Sequence, residues 1–418
     1  RICKILTCME KNPKTPPLPT LPMQLMLSLG TWLISPFAWQ CAKNALPPLN
    51  LKNPKEALEN AVAQEAKNRA SNLLAGILRY QETPYARDVV EPPVVWQKGS
   101  SRLIDYGSAD TTPSAPVLFI PSLINRYYIL DLEEDRSMLR FMAARGLHPL
   151  VLYWGTPGKT ELQFSTEDYI TKRLLPVIEF LHQTSGKPVH LVGYCMGGVL
   201  ALGASKLAAK KIASLSLLAT PWDFHCKEFL PFVVSDSWQE VMASLIGAEK
   251  PVPADIIQSL FAITDPFIFE HKFRRFMELS PQSRAARDFV ALEHWVNDGV
   301  PMTPAVAKDC LIGWAQRNLL ATGKWKIDGK AIDPHTIKLP TFIAMPKNDH
   351  VVPYDCAKPL ADMMKQAHII EPNAGHVSMI VGAQAKRELW EPLMAWFKEP
   401  NERKRKKANP QRSQSTTN

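Results

Sequence analysis

Val189-His190-Leu191-Val192-Gly193-Tyr194-Cys195-Met196-Gly197-Gly198-Val199-Leu200-Ala201-Leu202-Gly203 predicts a strand, a tight turn and a helix in immediate succession. The strand is an apolar run from Val189 to Val192, and the helix begins among small and aliphatic residues of good helical propensity. Between them, glycines stand two before and two after Cys195. An elbow of this kind crowds its central residue, and any Cβ at the flanking positions would meet the strand or the helix. The turn also aims the first amides of the new helix, that of Met196 included, at an oxygen attacked from Cys195, and the helix dipole favours both a thiolate and an oxyanion there. A cysteine in a Gly-rich turn is often just a small buried hydrophobe, so the box alone leaves packing and nucleophile both open.

Around this stretch strands and helices alternate. Val94-Val95-Trp96 and Leu103-Ile104-Asp105-Tyr106 read as a hairpin. Strands then follow at Val117–Pro121, Leu147–Trp154 and Ser214–Ala219, with helices at Glu133–Arg145, Thr166–His182 and Met196–Ala209. The alternation predicts an α/β fold, a mostly parallel sheet covered by helices on both faces. From 222 to 335 the strand signal disappears in an aromatic, proline-punctuated, mainly helical stretch expected to be a cap insertion. The alternation resumes with strand Thr341–Met345, helix Tyr354–Met364, strand His368–Pro372 and a last helix through Trp396-Phe397. The expected organisation is an N-terminal extension (1–84), a core first part (85–221), the cap (222–335), a core second part (336–399) and a basic tail (400–418).

The ends differ from this core. Residues 15–42 contain no charged side chain, and Leu25–Trp39 is apolar enough to raise a membrane span or signal peptide. Five prolines bracket the run and no small-residue cleavage site follows, which favours a short hydrophobic helix on the domain or on an apolar surface. Residues 54–80 predict one amphipathic helix. The chain opens on Arg1, and Met9 is an alternative start. Of the net charge of +9, six basic residues and one acid fall in 400–418, so the basicity is mainly that of a solvated tail and does not indicate a nucleic-acid partner. The seven cysteines are scattered, odd in number and without C-x-x-C spacing, which argues against a disulfide framework or a zinc site and fits a reducing, cytoplasmic setting. No metal or cofactor motif is present.

The partners of a nucleophile elbow follow it in the order acid, then histidine, each after a later strand. Asp349 follows the strand 341–345 and His376 the strand 368–372. Singly, an Asp after a strand is commonly a helix cap and a His after Gly a loop residue. Together, in this order and at these strand ends, they make Cys195, Asp349 and His376 a catalytic triad. A thiol is only a few per cent thiolate at neutral pH, so His376 is needed to take its proton, while Asp349 fixes the imidazole and stabilises its charge. His350 competes for the base role, but its place next to the acid makes it less suited to face Cys195.

These motifs resemble the polyhydroxyalkanoate synthase family, on the α/β-hydrolase fold, over roughly residues 85–397. Pro121-Ser122-Leu123-Ile124-Asn125-Arg126-Tyr127-Tyr128-Ile129-Leu130-Asp131-Leu132 is the most specific match. Gly193–Gly198 is similar to the family's cysteine box, Asp349–Pro353 to its acid loop, Gly375-His376 to its histidine loop and, more loosely, Trp295-Val296-Asn297-Asp298 to a cap motif. The resemblance implies polymerisation of 3-hydroxyacyl-CoA thioesters, with CoA as leaving group and no cofactor, and a growing polyester chain or granule surface as partner. It also implies a homodimer. Thr220–Phe224 and the absence of a long N-terminal domain are nearer the short, two-subunit type, which implies a second synthase subunit. Asn125 and Asp131 are candidates for holding the loop that completes the oxyanion hole, or serve only turn and capping chemistry. Trp295 and His350 are further candidates near substrate. The competing functions are a thioesterase or polyester depolymerase on the same scaffold, and a non-catalytic binder of granules or the inner membrane surface using 15–42.

Overall fold

The computed structural model describes residues 54–107, 114–227, 229, 240, 242, 250–254, 256, 257 and 268–398. The apolar segment 15–42 and the tail 400–418 lie outside them. Among the described residues no helix is long and apolar enough to cross a membrane.

The described residues divide into two compact units, one taking in those of 54–88 and 253–300, the other those of 89–252 and 301–398. The sequence had suggested one insertion over 222–335. The contacts instead group its middle part with the N-terminal helix, because the two share a core. Helix α1 (Pro54–Glu82) turns Leu73, Ile77 and Tyr80 toward Phe269, Phe273 and Phe276, which lie on a later helix, Ile268–Glu278, and toward Val290 on another, Arg284–Asn297. Arg79 seals the end of this packing by donating through Nη1 to the Phe276 carbonyl at 2.7 Å.

The other unit is built on an eight-stranded sheet in the order β1-β2-β6-β3-β7-β8-β11-β12. Its strands are β1 (Val94–Lys98), β2 (Ser101–Asp105), β3 (Pro116–Ile120), β6 (His148–Tyr153), β7 (Val189–Tyr194), β8 (Ile212–Leu218), β11 (Thr341–Ala344) and β12 (His368–Ile370). The pairs β1/β2 and β2/β6 are antiparallel and the rest parallel. Every residue of β3 and all but one of β7 and β8 are buried, the signature of central strands covered on both faces. This is the expected α/β-hydrolase arrangement, and most predicted elements fall within a few residues of their observed bounds.

Two expectations are corrected. The predicted helix Glu133–Arg145 is a short ribbon, β4 (Asp131–Glu133) with β5 (Arg136–Ser137), followed by the helix α2 (Met138–Ala143). Ser137 starts that helix by accepting from Arg140 N at 3.0 Å, and the cap outweighs the helical propensity of the acids before it. The stretch read as strandless contains a hairpin, β9 (Lys326–Ile327) with β10 (Lys330–Ala331), whose turn residues Asp328 and Gly329 both take positive φ. That Asp-Gly pair is a hairpin signal in its own right.

Helix α3 (Thr166–Tyr169) runs through a π-helical turn, Ile170–Leu174, into α4 (Leu175–Ser185). Helix α5 (Met196–Leu207) follows the elbow. The first unit also contains α6 (Ile268–Glu278) and α7 (Arg284–Asn297). In the second unit α8 (Pro304–Ala307) leads into a π-helix, Lys308–Gln316, and α9 (Tyr354–Met363) follows β11.

Candidate active site

Cys195 is the one residue between β7 and α5, with φ 56° and ψ −128°. This is a left-handed conformation costly for a residue with a side chain, on the order of 1–3 kcal/mol, and it persists only where its surroundings hold it. Here Cys195 N donates to Leu218 O at 2.8 Å, and Gly198 N donates to Cys195 O at 2.9 Å. The glycines are required sterically. A Cβ on Gly193 would run into the Cα of Gly198, one on Gly197 into the carbonyl oxygen of Ile120, and one on Gly198 into the Thr220 hydroxyl.

Sheet order then assembles the rest. Strands β11 and β12 lie beyond β8, parallel to β7, so the loops at their C-terminal ends open on the same edge as Cys195. Asp349 comes from the first loop and His376 from the second. His376 Nδ1 lies 2.7 Å from Asp349 Oδ2, and both residues are buried. The other carboxylate oxygen, Oδ1, accepts from the amides of Val351 and Val352, each at 2.8 Å, which fixes the carboxylate plane. The imidazole also lies within electrostatic reach of the Cys195 side chain. Burial disfavours its charged form, but Asp349, with its hydrogen bond, and Cys195 outweigh it and push His376 up to about 10. The arrangement therefore holds a proton on His376 between sulfur and carboxylate.

The histidine bonded to Asp349 is His376; His350 beside it is exposed. Met196 opens α5 and is buried, with its amide in the first turn. Asn125 is half-buried in the loop after β3. Asp131 is wholly buried at the far end of that loop, where it accepts from Tyr106 Oη at 2.8 Å and from Arg140 Nε at 2.8 Å and Nη2 at 3.2 Å. It therefore anchors the loop. The near end is tied by Trp154 Nε1, donating to Pro121 O at 3.0 Å. Trp295 belongs to the first unit, where it is buried on α7.

Two residues were not singled out from the sequence. Tyr194 donates through its hydroxyl to His376 O at 3.1 Å and stacks beside the imidazole, ring centres 5.1 Å apart. It braces the histidine loop from the strand that carries the nucleophile. Its position directly before Cys195 was visible, but its partner was not. Cys310 lies on the π-helix Lys308–Gln316 and, like Cys195, is half-exposed as a residue. Burial, together with the charges of Asp309 and Cys195, pushes its thiol well above the ordinary value. Among the described residues no group of three or more His, Cys, Asp or Glu side chains is placed to hold a metal ion.

The model of the alpha/beta hydrolase family matches residues 151–388, and that of the poly-beta-hydroxybutyrate polymerase (PhaC) N-terminus matches residues 87–142. The chain is 28% identical over 314 residues to the poly(3-hydroxyalkanoate) polymerase subunit PhaC of Haloferax mediterranei, covering 74% of this chain and 64% of that protein. It is 27% identical to the subunit of the same name from Haloarcula marismortui, with coverages of 75% and 69%. Against that of Allochromatium vinosum the identity is 24%, with coverages of 73% and 87%. A solved alpha/beta hydrolase from the sediment metagenome of the Mar Chica lagoon is 17% identical, covering 73% of this chain and 98% of that one, with a TM-score of 0.41. The PhaC N-terminal model matches just ahead of the hydrolase model, and the chain is similar over about three quarters of its length to PhaC polymerase subunits; the hydrolase model spans more than half of the chain, so the chain belongs to the alpha/beta hydrolase family.

Proposed function

We propose that this protein is an acyltransferase that polymerises 3-hydroxyacyl-CoA thioesters into polyhydroxyalkanoate, with Cys195 as the acyl-carrying nucleophile. The observation that carries the reading is a cysteine at a strained elbow, within electrostatic reach of a buried histidine that is itself paired with a buried carboxylate. The names of the PhaC relatives support the choice of substrate class.

Cys195 attacks the thioester carbonyl, and its proton rests on His376, which returns it to the departing CoA thiolate. The developing oxyanion is met by the Met196 amide at the start of α5. One thioester replaces another, so the acyl group stays activated, where a serine ester would discard that energy. Chain growth then requires the 3-hydroxyl of a second acyl unit, deprotonated by His376 with Asp349 holding the imidazole, to attack an acyl thioester. The hydroxyl must reach the thioester ahead of water. Asp131 and its Tyr106–Arg140 clamp hold the loop that carries Asn125 toward the same strand end.

The test is CoA release from 3-hydroxybutyryl-CoA and from longer hydroxyacyl-CoAs, with and without a synthase partner subunit, identifying the acyl product. Wild type is expected to yield polymer and Cys195→Ala none. Free hydroxy acid in place of polymer would replace this reading with a thioesterase.

A further inference from the structure

Apart from Cys195 and Cys310, two described cysteines are buried, Cys226 at 8% exposure and Cys356 at 0%. Cys226 ends the segment that leaves β8, and Cys356 lies in the first turn of α9, directly after the loop that carries Asp349. They are distant in sequence, yet the contacts on either side register them against each other. The amides of Trp222 and Asp223 donate to the carbonyl of Cys356 itself, at 3.2 and 2.9 Å. One residue beyond Cys226, Lys227 Nζ pairs with Asp355 Oδ2 at 3.0 Å. Burial first, and then the nearby Cys226 side chain, push the Cys356 thiol well up. The segment is also pinned on its other side, where Phe224 N donates to Asn318 Oδ1 at 3.2 Å and His225 Nε2 lies 3.0 Å from Gln316 O. Two thiols brought near each other on backbones tied at neighbouring residues have the local concentration that thiol–disulfide exchange needs and that scattered cysteines lack.

We infer that Cys226 and Cys356 are a redox couple, a dithiol that converts by exchange with a small-molecule disulfide into an internal disulfide stapling the segment after β8 to α9. Cys226, the less buried thiol, loses its proton to solvent and attacks one sulfur of the small disulfide. The S–S bond breaks, a mixed disulfide forms on Cys226, and one small thiolate leaves and is protonated. The Cys356 sulfur then attacks the Cys226 sulfur, and its proton accompanies the second small thiolate as it departs. The two cysteines are oxidised, and one small disulfide is reduced to two thiols. Burial of Cys356 suits it to this second, intramolecular step, where the local concentration of its partner offsets a scarce thiolate. Cys195 and Cys310 are the other described thiols that the same reagent can meet. The staple closes a long loop and leaves Asp349 and its backbone bonds in place, so its effect is on the rigidity of the acid-loop helix.

The experiment incubates the full chain with oxidised glutathione, blocks the remaining thiols with N-ethylmaleimide under denaturing conditions, and maps the unreduced digest by mass spectrometry. The expected result is a linked peptide pair containing Cys226 and Cys356, with a thermal midpoint above that of the reduced protein. A Cys195→Ser background isolates this shift from modification of the nucleophile, and the map is repeated on wild type. Cys226→Ser should lose both the link and the shift. Recovery of both cysteines as maleimide adducts while Cys195 or Cys310 carries glutathione would overturn the couple. So would a midpoint shift that persists in Cys226→Ser, and a link without a shift would overturn the staple. The readouts are mass and stability, so they stand whether or not the polymerase reading does.

Discussion

His376 is under opposing pressures that the fold resolves in favour of charge. Desolvation alone would keep a buried imidazole neutral, as it does for His190, which burial brings down to about 4. The difference is what faces the ring: His190 meets a serine hydroxyl at 2.7 Å, whereas His376 meets a carboxylate and the Cys195 sulfur. Asp349→Asn removes the carboxylate charge and can present the wrong hydrogen-bonding group to Nδ1. By analogy with other triads, turnover should fall about 10^3–10^4-fold with a smaller effect on KM. The His376 ring, followed by NMR of labelled histidine, should titrate well below the wild-type value of about 10. A histidine raised in the folded state lends stability that is fully present below its unfolded value of 6.5 and is lost as pH rises through about 10. The denaturation midpoint of wild type should therefore decline across that alkaline window more steeply than that of Asp349→Asn.

At the scale of elements, the site depends on a loop that is not regular structure. The run after β3 is held at Pro121 by an indole and at Asp131 by a buried carboxylate receiving three hydrogen bonds. Asp131→Ala removes the group on which Tyr106 and Arg140 converge, and the expected loss is about 3–5 kcal/mol, the scale for breaking a buried pair from one side. Tyr106→Phe deletes one neutral donor and should cost only about 1 kcal/mol. Urea denaturation of both variants checks the order, and equal losses would deny Asp131 its anchoring role.

For the whole molecule, each unit has a separate core and a histidine whose ring is largely desolvated. His190 sits in the sheet unit against Phe397, ring centres 5.1 Å apart, and His294 in the helical unit between Tyr80 and Tyr85. Burial lowers both to about 4. The unfolded chain binds these protons near pH 6.5 and the folded chain does not, so stability falls as pH drops from about 6.5 toward 4. His190→Gln should flatten the acid decline of the sheet unit, and His294→Gln that of the helical unit, each measured by denaturant midpoints between pH 7 and 4. An undiminished decline in both variants would place the acid sensitivity elsewhere.

The sheet, the elbow and the pairing of Asp349 with His376 could be read from the chain, because strand periodicity, glycines two residues either side of Cys195 and the order of acid and histidine are all local or ordinal properties. The cap of Ser137 and the Asp328-Gly329 turn were equally local, and there the helical propensity of neighbouring residues obscured them. What spacing along the chain does not encode is which side chain closes on which. That Asp131 meets Arg140 and Tyr106, that Tyr194 braces the histidine loop, that Cys226 lies against Cys356, and that 253–300 packs with α1 are pairings across large sequence separations. They arise because burial brings apolar faces together first, and each buried polar group must then take whatever partner the packing leaves within reach.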